Sequence, residues 1–249
     1  MQNNILSVKN LSKHFIIKQN IFSQKKIINA VKNISFEIMP NESLGLIGES
    51  GSGKTTTANL ILKLIEPTSG QISLFGQSIT NLEDKKMRSL RKDLQIIFQH
   101  SVSALDPKMT IDEILREPLL IHKVVADDMI DSEVDRLLEM VGLSPKEKNK
   151  FSHQLSGGQS QRVIIARAIS TRPKIIVCDE PVSSLDVSVQ GQILNLLIEL
   201  KEKLNLTYLF ISHDLKVVGL MCERIAVMKE GRIVEIGTSA EIHTRAPQR

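Results

Sequence analysis

The sequence predicts an α/β fold, in which a largely parallel sheet carries helices on both of its faces. One observation is an apolar, strand-like run at 43–47 that leads through a glycine-rich segment into a helix-like run at 56–65. Another is the return of short apolar runs at 174–178, 206–211 and 224–228, with an amphipathic segment after the first of them. Strands that alternate with helices pair in parallel and are buried on both faces. The apolar face of the amphipathic segment comprises Val189, Ile193, Leu196, Leu197, Leu200 and Leu204.

The remaining elements follow from similar patterns. Apolar runs at Ile5–Phe15 and Ala30–Ile38 predict two strands, and the lysine-bearing segment between them predicts an exposed hairpin loop. From residue 101 to residue 152 the pattern changes to helix-like runs with polar connections, at Ile111–Leu115 and Met129–Val141. We therefore expect a mainly helical lobe inserted into the α/β core.

The composition argues against several classes of protein. The 249 residues carry 32 basic and 28 acidic side chains, and the net charge of +4 is too small to indicate a nucleic-acid or anionic-membrane partner. The two cysteines, Cys178 and Cys222, lie far apart inside apolar runs, which predicts buried thiols and gives no metal-ligand spacing. We find no signal-peptide pattern and no apolar run near the ~20 residues that span a bilayer, so we expect another chain to make any membrane crossing.

The residues Gly48-Glu49-Ser50-Gly51-Ser52-Gly53-Lys54-Thr55 fit the phosphate-binding pattern G-x-x-x-x-G-K-[ST] at every fixed position. Between a strand and a helix, such a loop surrounds an anion with backbone N–H groups and the positive end of the helix. We expect Lys54 to reach the β- and γ-phosphates of a nucleotide, Thr55 to hold Mg²⁺, and Thr56 to complete the nucleotide contacts. The alternative is a chance glycine-rich turn.

A second anion-binding element is Leu155-Ser156-Gly157-Gly158-Gln159, which precedes a helix-like run at 161–171. The Ser156 hydroxyl and the N–H groups of the two glycines would face an anion from the N-terminus of this helix. The alternative is a capped helix start with flexible glycines.

A pair of acids follows the apolar run at 174–178. In open α/β sheets, ligands bind at the carboxyl ends of the strands. Asp179 would therefore hold Mg²⁺, directly or through water, and Glu180 would polarise an attacking water molecule. The alternative is an acidic turn before Pro181.

Polar residues also end two other apolar runs. His213 follows the run at 208–212, where a neutral imidazole would contact the γ-phosphate, although a lone histidine beside a strand is more often structural. Gln99 follows the run at 94–98 and would contact Mg²⁺ or the attacking water.

These elements occur in the order and approximate spacing of one family. Over essentially its whole length, the sequence resembles the ATP-binding-cassette (ABC) ATPases. The matching residues are the phosphate-binding loop at 48–55, Gln99 for the Q-loop, Leu155–Gln159 for the signature, Asp179 and Glu180 for the Walker B pair, Ser184–Asp186 for the D-loop and His213 for the switch histidine.

The resemblance implies the P-loop NTPase fold of ABC ATPases. This is a single domain at 1–249, with a RecA-like core at about 1–99 and 160–249, an N-terminal antiparallel β-subdomain and a helical subdomain at about 100–159. The resemblance also implies ATP and Mg²⁺ as cofactors. It further implies that two such domains face head to tail, each binding ATP between one chain's phosphate-binding loop and the other chain's signature.

The resemblance assigns roles to individual residues. Phe15 would lie against adenine, and Asp186 would contribute to the nucleotide site. The expected catalytic residues are Glu180, His213 and Gln99, and the expected metal-contacting residues are Thr55, Gln99 and Asp179.

Longer matches narrow the resemblance. The stretches 178–190 and 98–107, the second leading into 114–119, are similar to the ATPases of oligopeptide, dipeptide and nickel importers. This similarity implies a second, usually paralogous ATPase subunit, two transmembrane permease subunits, an extracytoplasmic binding protein and a peripheral position on the cytoplasmic face of the membrane. Residues 101–118 are the expected docking surface for a permease helix.

Other functions remain as alternatives. One is a soluble ABC ATPase that acts on DNA or ribosomes; the roughly 100 residues between Thr55 and Leu155 lack the heptads of a long coiled coil, and the chain carries one cassette. Another is a nucleotide-dependent regulatory module without transport. Within the importer hypothesis the cargo is not readable from this sequence, because the cargo-binding surfaces belong to other chains. Of the two candidate cargoes, peptides are preferred over nickel.

Overall fold

The chain divides into two compact units in the computed structural model, which describes residues 4–17, 26–98 and 105–245. The first unit combines Met1–Met87 with Thr207–Arg249, and the second is Arg88–Leu206. Both units contain strands and helices, which confirms the predicted α/β class. The domain boundaries implied by the resemblance stay a prediction.

Helices and strands are numbered along the described part of the chain. The strands are β1 (Leu6–Ile17), β2 (Lys26–Ile38), β3 (Ser43–Ile47), β4 (Ser69–Leu74), β5 (Gln77–Ser78), β6 (Leu94–Ile97), β7 (Ile175–Asp179), β8 (Thr207–Ser212), β9 (Arg224–Lys229) and β10 (Arg232–Thr238). The helices are α1 (Lys54–Ile61), α2 (Asp84–Leu90), α3 (Ile111–His122), α4 (Ile130–Met140), α5 (Gly157–Ser170), α6 (Val187–Leu204), α7 (Leu215–Met221) and α8 (Ser239–Arg245).

The first unit contains two groups of strands. β1 pairs antiparallel with β2 and β4, and β4 pairs antiparallel with β5, so the predicted N-terminal strands form an antiparallel sheet. In the other group, β3 lies between β8 and β9 and is parallel to both, while β10 pairs antiparallel with β9. Every residue of β8 is buried, as expected for a strand that is covered on both faces.

The helix after the phosphate-binding loop is shorter than the sequence predicts. We expected helical structure to residue 65, but α1 ends at Ile61 and Lys63 has a left-handed φ of 52°. Leu64 is therefore 53% exposed instead of packing on the helix face with Leu60. Of the apolar residues predicted to share one helix face, Leu60 and Ile61 lie on α1, whereas Leu64 and Ile65 lie beyond its end, where the chain turns toward β4.

The second unit contains the parallel pair β6 and β7 and the helices α3 to α6. All five residues of β7 are buried. The described residues from 111 to 154 form α3, α4 and three short 3₁₀ turns, which confirms the predicted helical insertion. On α6 the predicted face is buried at Ile193, Leu196, Leu197 and Leu200 and half-buried at its two ends.

Two further sequence predictions concern the cysteines and the membrane. Cys178 and Cys222 are both buried free thiols, as predicted. Within the described ranges, no helix has both the length and the apolar character that a membrane span requires.

Candidate functional site

The phosphate-binding loop of the first unit connects β3 to α1. Gly51 and Gly53 have φ values of 78° and 107°, in the region that glycine adopts without strain. Lys54 begins α1 and is only 5% exposed, and its Nζ donates hydrogen bonds to the carbonyl oxygens of Gly48 (2.7 Å) and Glu49 (3.0 Å). The loop therefore curls around a buried ammonium group at a helix N-terminus, which is an arrangement suited to an anion.

Two loop glycines are required by the packing of the chain itself. A Cβ on Gly48 would lie 2.1 Å from the carbonyl oxygen of Met228, and a Cβ on Gly53 would lie 2.3 Å from the carbonyl oxygen of Ala30. A bound phosphate is thus not the sole reason for glycine at these two positions. The backbone carbonyl groups of Ala30 on β2 and Met228 on β9 pack directly against the loop.

The other loop residues differ in accessibility. Glu49, Ser50 and Thr55 are exposed, and Thr56 is half-buried. Ser52 is 5% exposed, its carbonyl oxygen accepts from the Gly231 amide at 2.9 Å, and its Oγ contacts no hydrogen-bonding group among the described residues. A buried hydroxyl of this kind is a costly group that an acceptor such as a phosphate oxygen would stabilise.

The first unit also carries the predicted aromatic and histidine residues. The Phe15 ring on β1 is 37% exposed, and the Lys13 Nζ lies 5.1 Å from its centroid, so the ring accepts a cation–π contact and still has accessible surface. His213 is exposed directly after β8. The next residue, Asp214, caps α7 by accepting from the Lys216 amide at 2.8 Å, and this fixes the turn in which His213 lies.

The signature lies at the N-terminus of α5 in the second unit. Ser156 is the N-cap: its Oγ accepts from the Gln159 amide (3.2 Å), and the Gln159 Oε1 accepts from the Ser156 amide (3.0 Å). The capped-helix alternative is thus realised. It is compatible with the anion-binding prediction, because a hydroxyl that accepts one bond still has its proton to donate. Ser156 and Gly157 are exposed, and Gly158 is half-buried.

The acidic pair lies at the carboxyl end of β7, as predicted. Asp179 is 5% exposed, and Glu180 is half-buried. Glu180 has a φ of 48°, and its carbonyl oxygen accepts from the Ser183 amide (3.3 Å) and Oγ (3.2 Å). Burial, together with the neighbouring Asp179, raises the pKa of the Cys178 thiol.

The D-loop residues after Glu180 form a chain of turns. The Leu185 amide donates to the Val182 carbonyl at 3.1 Å, and the Gln190 Nε2 donates to the Leu185 carbonyl at 2.9 Å. Asp186 is the exposed N-cap residue of α6, and its side chain makes no capping hydrogen bond. Gln190 was not predicted as a functional residue, because its contact with Leu185 leaves no pattern in a single sequence.

The predicted residues fall into one set per unit. The first unit holds Phe15, the phosphate-binding loop and His213, and the second holds the signature, Asp179, Glu180 and Asp186. Gln99, predicted as a catalytic and metal-contacting residue, lies outside the described residues. Within the described ranges, no group of three or more His, Cys, Asp or Glu side chains could hold a metal ion by itself.

Sequence comparisons identify the relatives of the chain. The family model described as "ABC transporter" matches residues 31–183. The chain is 46% identical over 234 residues to the glutathione import ATP-binding protein GsiA of Salmonella paratyphi A, which covers 94% of the chain and 38% of that protein. It is 42% identical over 245 residues to the oligopeptide transport ATP-binding protein AppF of Bacillus subtilis, covering 97% of the chain and 74% of that protein.

Solved structures give the same grouping. The dimeric, ADP- and Pi-bound ATP-binding cassette MJ0796 superimposes with a TM-score of 0.83 and 31% identity, over 94% of this chain and 98% of that one. The cbiO1 protein of Clostridium perfringens, part of the transporter complex cbiONQ, also superimposes with a TM-score of 0.83, at 29% identity over 98% of this chain and 92% of that one. The predicted ABC ATPase fold is therefore confirmed.

Proposed function

The chain belongs to the ABC transporter family, and from this premise we propose that it is the ATP-binding and ATP-hydrolysing subunit of an importer for oligopeptides or dipeptides. The observation that carries the proposal is the phosphate-binding loop closed around buried Lys54, in a chain 42% identical to an oligopeptide transport ATP-binding protein. The chain spans only 38% of the glutathione import protein, so the peptide cargo is part of the proposal and is not taken from that relative.

ATP binding uses the groups of the loop. The Lys54 ammonium exchanges its bonds to the Gly48 and Glu49 carbonyl oxygens for the phosphate oxygens, and the first amide groups of α1 donate to the same phosphates. The accessible Phe15 ring supports the adenine.

Magnesium fits the chemistry of the available donors. Mg²⁺ binds through one or two protein oxygen ligands and keeps water and substrate phosphates for the rest of its shell. The resemblance assigns the metal contacts to Thr55, which supplies a hydroxyl, and to Asp179, which supplies a carboxylate, and both are oxygen donors of the kind that Mg²⁺ prefers. When bound, the ion neutralises charge on the phosphates.

Hydrolysis is assigned to the residues after β7 and β8. Glu180 orients and polarises the attacking water, and His213 donates a hydrogen bond to the γ-phosphate from one imidazole nitrogen. Gln99 is assigned to the water or Mg²⁺ by the resemblance. Ser156, Gly157 and Gly158 donate to the γ-phosphate of the ATP that is bound by a second ATPase subunit, identical or paralogous.

A groove in the second unit supports permease docking. It has a volume of about 320 Å³ and lies between β6, α3 and α5. Phe98 and Ile121 are 42% and 52% exposed there, and the Arg167 Nη2 donates to the Glu117 carboxylate at 3.0 Å. Burial, with Arg88 and Lys92 nearby, lowers the pKa of His122 in the same groove. An amphipathic permease helix, partly on the expected 101–118 surface, would cover these apolar side chains at the cytoplasmic face of the membrane.

Transport experiments test this proposal. We expect deletion of the gene to abolish growth on a peptide as sole source of a required amino acid, with restoration by the wild-type chain and not by Glu180→Gln. Co-purified permease subunits should stimulate ATP hydrolysis. Normal peptide use combined with lost urease activity would identify nickel, and not peptides, as the cargo. ATP hydrolysis that is unchanged by the permease subunits would indicate a function without transport.

A further inference from the structure

The two signature glycines meet different surroundings within their own chain. A Cβ on Gly158 would lie 2.7 Å from Cγ1 of Val189, closer than a Cβ approaches another atom in real proteins. A Cβ on Gly157 would lie 3.4 Å from Cδ2 of Leu185, which is ordinary van der Waals contact. One glycine is therefore sterically required by α6 and the other is not.

Val189 cannot easily yield to such a Cβ. It lies in the first turn of α6, where its amide donates to the Asp186 carbonyl at 2.9 Å and the next amide, of Gln190, donates to the same oxygen at 2.8 Å. The Gln190 side chain then holds the Leu185 carbonyl at 2.9 Å. Valine has one strongly preferred rotamer in a helix, so its methyl groups form a fixed surface.

We propose that Val189 is a positioning residue for the signature: it sets where the N-terminus of α5 lies by packing against the bare backbone of Gly158. In this proposal Gly158 is a glycine because of α6, whereas Gly157 is a glycine because of the incoming phosphate. This contact joins the signature to the first turn of α6, which directly follows the D-loop. The catalytic part of this inference rests on the proposed function.

A compensation experiment tests the contact. The variants are Gly158→Ala, Val189→Ala and their combination, each measured for thermal stability, ATP hydrolysis, ATP-dependent dimerisation and nucleotide affinity. We expect Gly158→Ala to reduce hydrolysis and dimerisation by about tenfold, with nucleotide affinity within about twofold of wild type. Adding Val189→Ala removes the clashing methyl groups and should return hydrolysis to within about threefold of Val189→Ala alone.

Matched variants separate sterics from other effects. Gly158→Ala combined with Val189→Thr should stay impaired, because threonine has the shape of valine. Gly191→Ala lies two residues farther along α6, where no described residue lies within 4 Å of the new Cβ, and it should keep stability and hydrolysis at or above wild type. Val189→Ala should not rescue Gly157→Ala.

The results can overturn the proposal. Wild-type behaviour of Gly158→Ala would show that the Val189 contact does not require a glycine at this position. Failure of Val189→Ala to rescue an impaired but folded Gly158→Ala would assign Gly158 to the ligand instead. If the wild-type chain neither binds nor hydrolyses ATP, the proposed function fails separately. The melting temperatures then decide this inference: recovery of the Gly158→Ala loss by Val189→Ala supports the contact, and additive losses contradict it.

Discussion

Glu180 adopts a backbone conformation that a glutamate rarely occupies. Its φ of 48° lies in the left-handed region, which costs about 1–3 kcal/mol for residues other than glycine. The two hydrogen bonds from Ser183 to its carbonyl oxygen hold this conformation.

Replacing Glu180 by glutamine should separate ATP binding from hydrolysis. The amide keeps the shape of the side chain but cannot accept a proton, so we expect turnover to fall by about 10²–10⁴-fold. ATP affinity should stay within a few-fold, and the ATP-bound dimer should persist in size-exclusion chromatography. Turnover within a few-fold of the parent would remove Glu180 from this role.

Glu230→Gln provides a matched control for this variant. Glu230 is an exposed glutamate with the same φ of 48°, in the turn between β9 and β10. Its substitution removes the same charge from the same backbone conformation outside the proposed active site. We therefore expect normal turnover, and a loss equal to that of Glu180→Gln would indicate a general effect of charge.

At the scale of the element, the cap of α5 combines a structural and a functional role. We expect Ser156→Ala to lower the free energy of unfolding by about 1 kcal/mol, as measured by urea denaturation, because the Gln159 amide loses its acceptor. The variant should also lose about 10–100-fold in ATP-dependent dimerisation, because a hydrogen bond to a charged phosphate is lost as well.

Thr238→Ala isolates the structural part of that effect. Thr238 accepts from the Glu241 amide at 3.3 Å and donates its own amide to the Glu241 carboxylate at 2.8 Å, so it caps α8 in the same way. It should lose about the same stability and keep dimerisation. Equal losses of dimerisation in both variants would reduce Ser156 to a helix cap.

The elements show which features a single sequence reveals. Buried strands such as β3, β7 and β8, and the apolar face of α6, appear as runs or periodic spacings and were predicted. β10 was not predicted, because Glu235 interrupts its apolar residues Ile233, Val234 and Ile236, and its residues are at most half-buried. α3 was predicted only to Leu115 but continues through Pro118 to His122, since burial of Leu119 outweighs the hydrogen bond that proline cannot donate.

The site residues divide in the same way. The phosphate-binding loop and the acidic pair have fixed spacing and were found from the sequence. Other contacts join residues that are distant along the chain. They are the packing of Met228 and Ala30 against the loop and the packing of Val189 against Gly158. Such contacts depend on tertiary packing, which leaves no local pattern.

Helix α4 carries a buried carboxylate that should make stability depend on acid. The Glu133 side chain is 9% exposed and accepts from the Arg136 Nη2 at 2.6 Å. The hydrogen bonds from Arg136 lower the pKa of Glu133 below its ordinary value of 4.5, so its contribution is complete above about pH 5 and is lost as the pH falls. Glu133→Gln should cost about 1–2 kcal/mol at pH 7 and less at pH 4 in urea denaturation.

Asp135→Asn is the control for that measurement. Asp135 pairs with Lys148 at 2.7 Å, but its side chain is 39% exposed, and exposed ion pairs contribute about 0–1 kcal/mol. We expect little change at either pH. A Glu133→Gln loss that is as large at pH 4 as at pH 7 would show that packing, and not the ionised carboxylate, accounts for it.

For the whole molecule, the proposal depends on one chain carrying both halves of the proposed composite site. The phosphate-binding loop belongs to the first unit and the signature belongs to the second. In the proposed dimer, a chain gives its signature to the ATP of its neighbour. A defect in either half should therefore be repaired by a neighbour that has the opposite defect.

Mixing two inactive variants tests this exchange directly. Lys54→Ala removes the ammonium that binds phosphate, and Ser156→Arg blocks the signature, so each variant alone should lack turnover. In an equal mixture, half of the dimers join one of each and rebuild one intact site of two, giving about a quarter of wild-type turnover. Turnover should rise with total chain concentration, because the active species is a dimer. If the wild-type chain alone hydrolyses ATP and the mixture stays inactive, each chain completes its own site, and the head-to-tail arrangement is wrong.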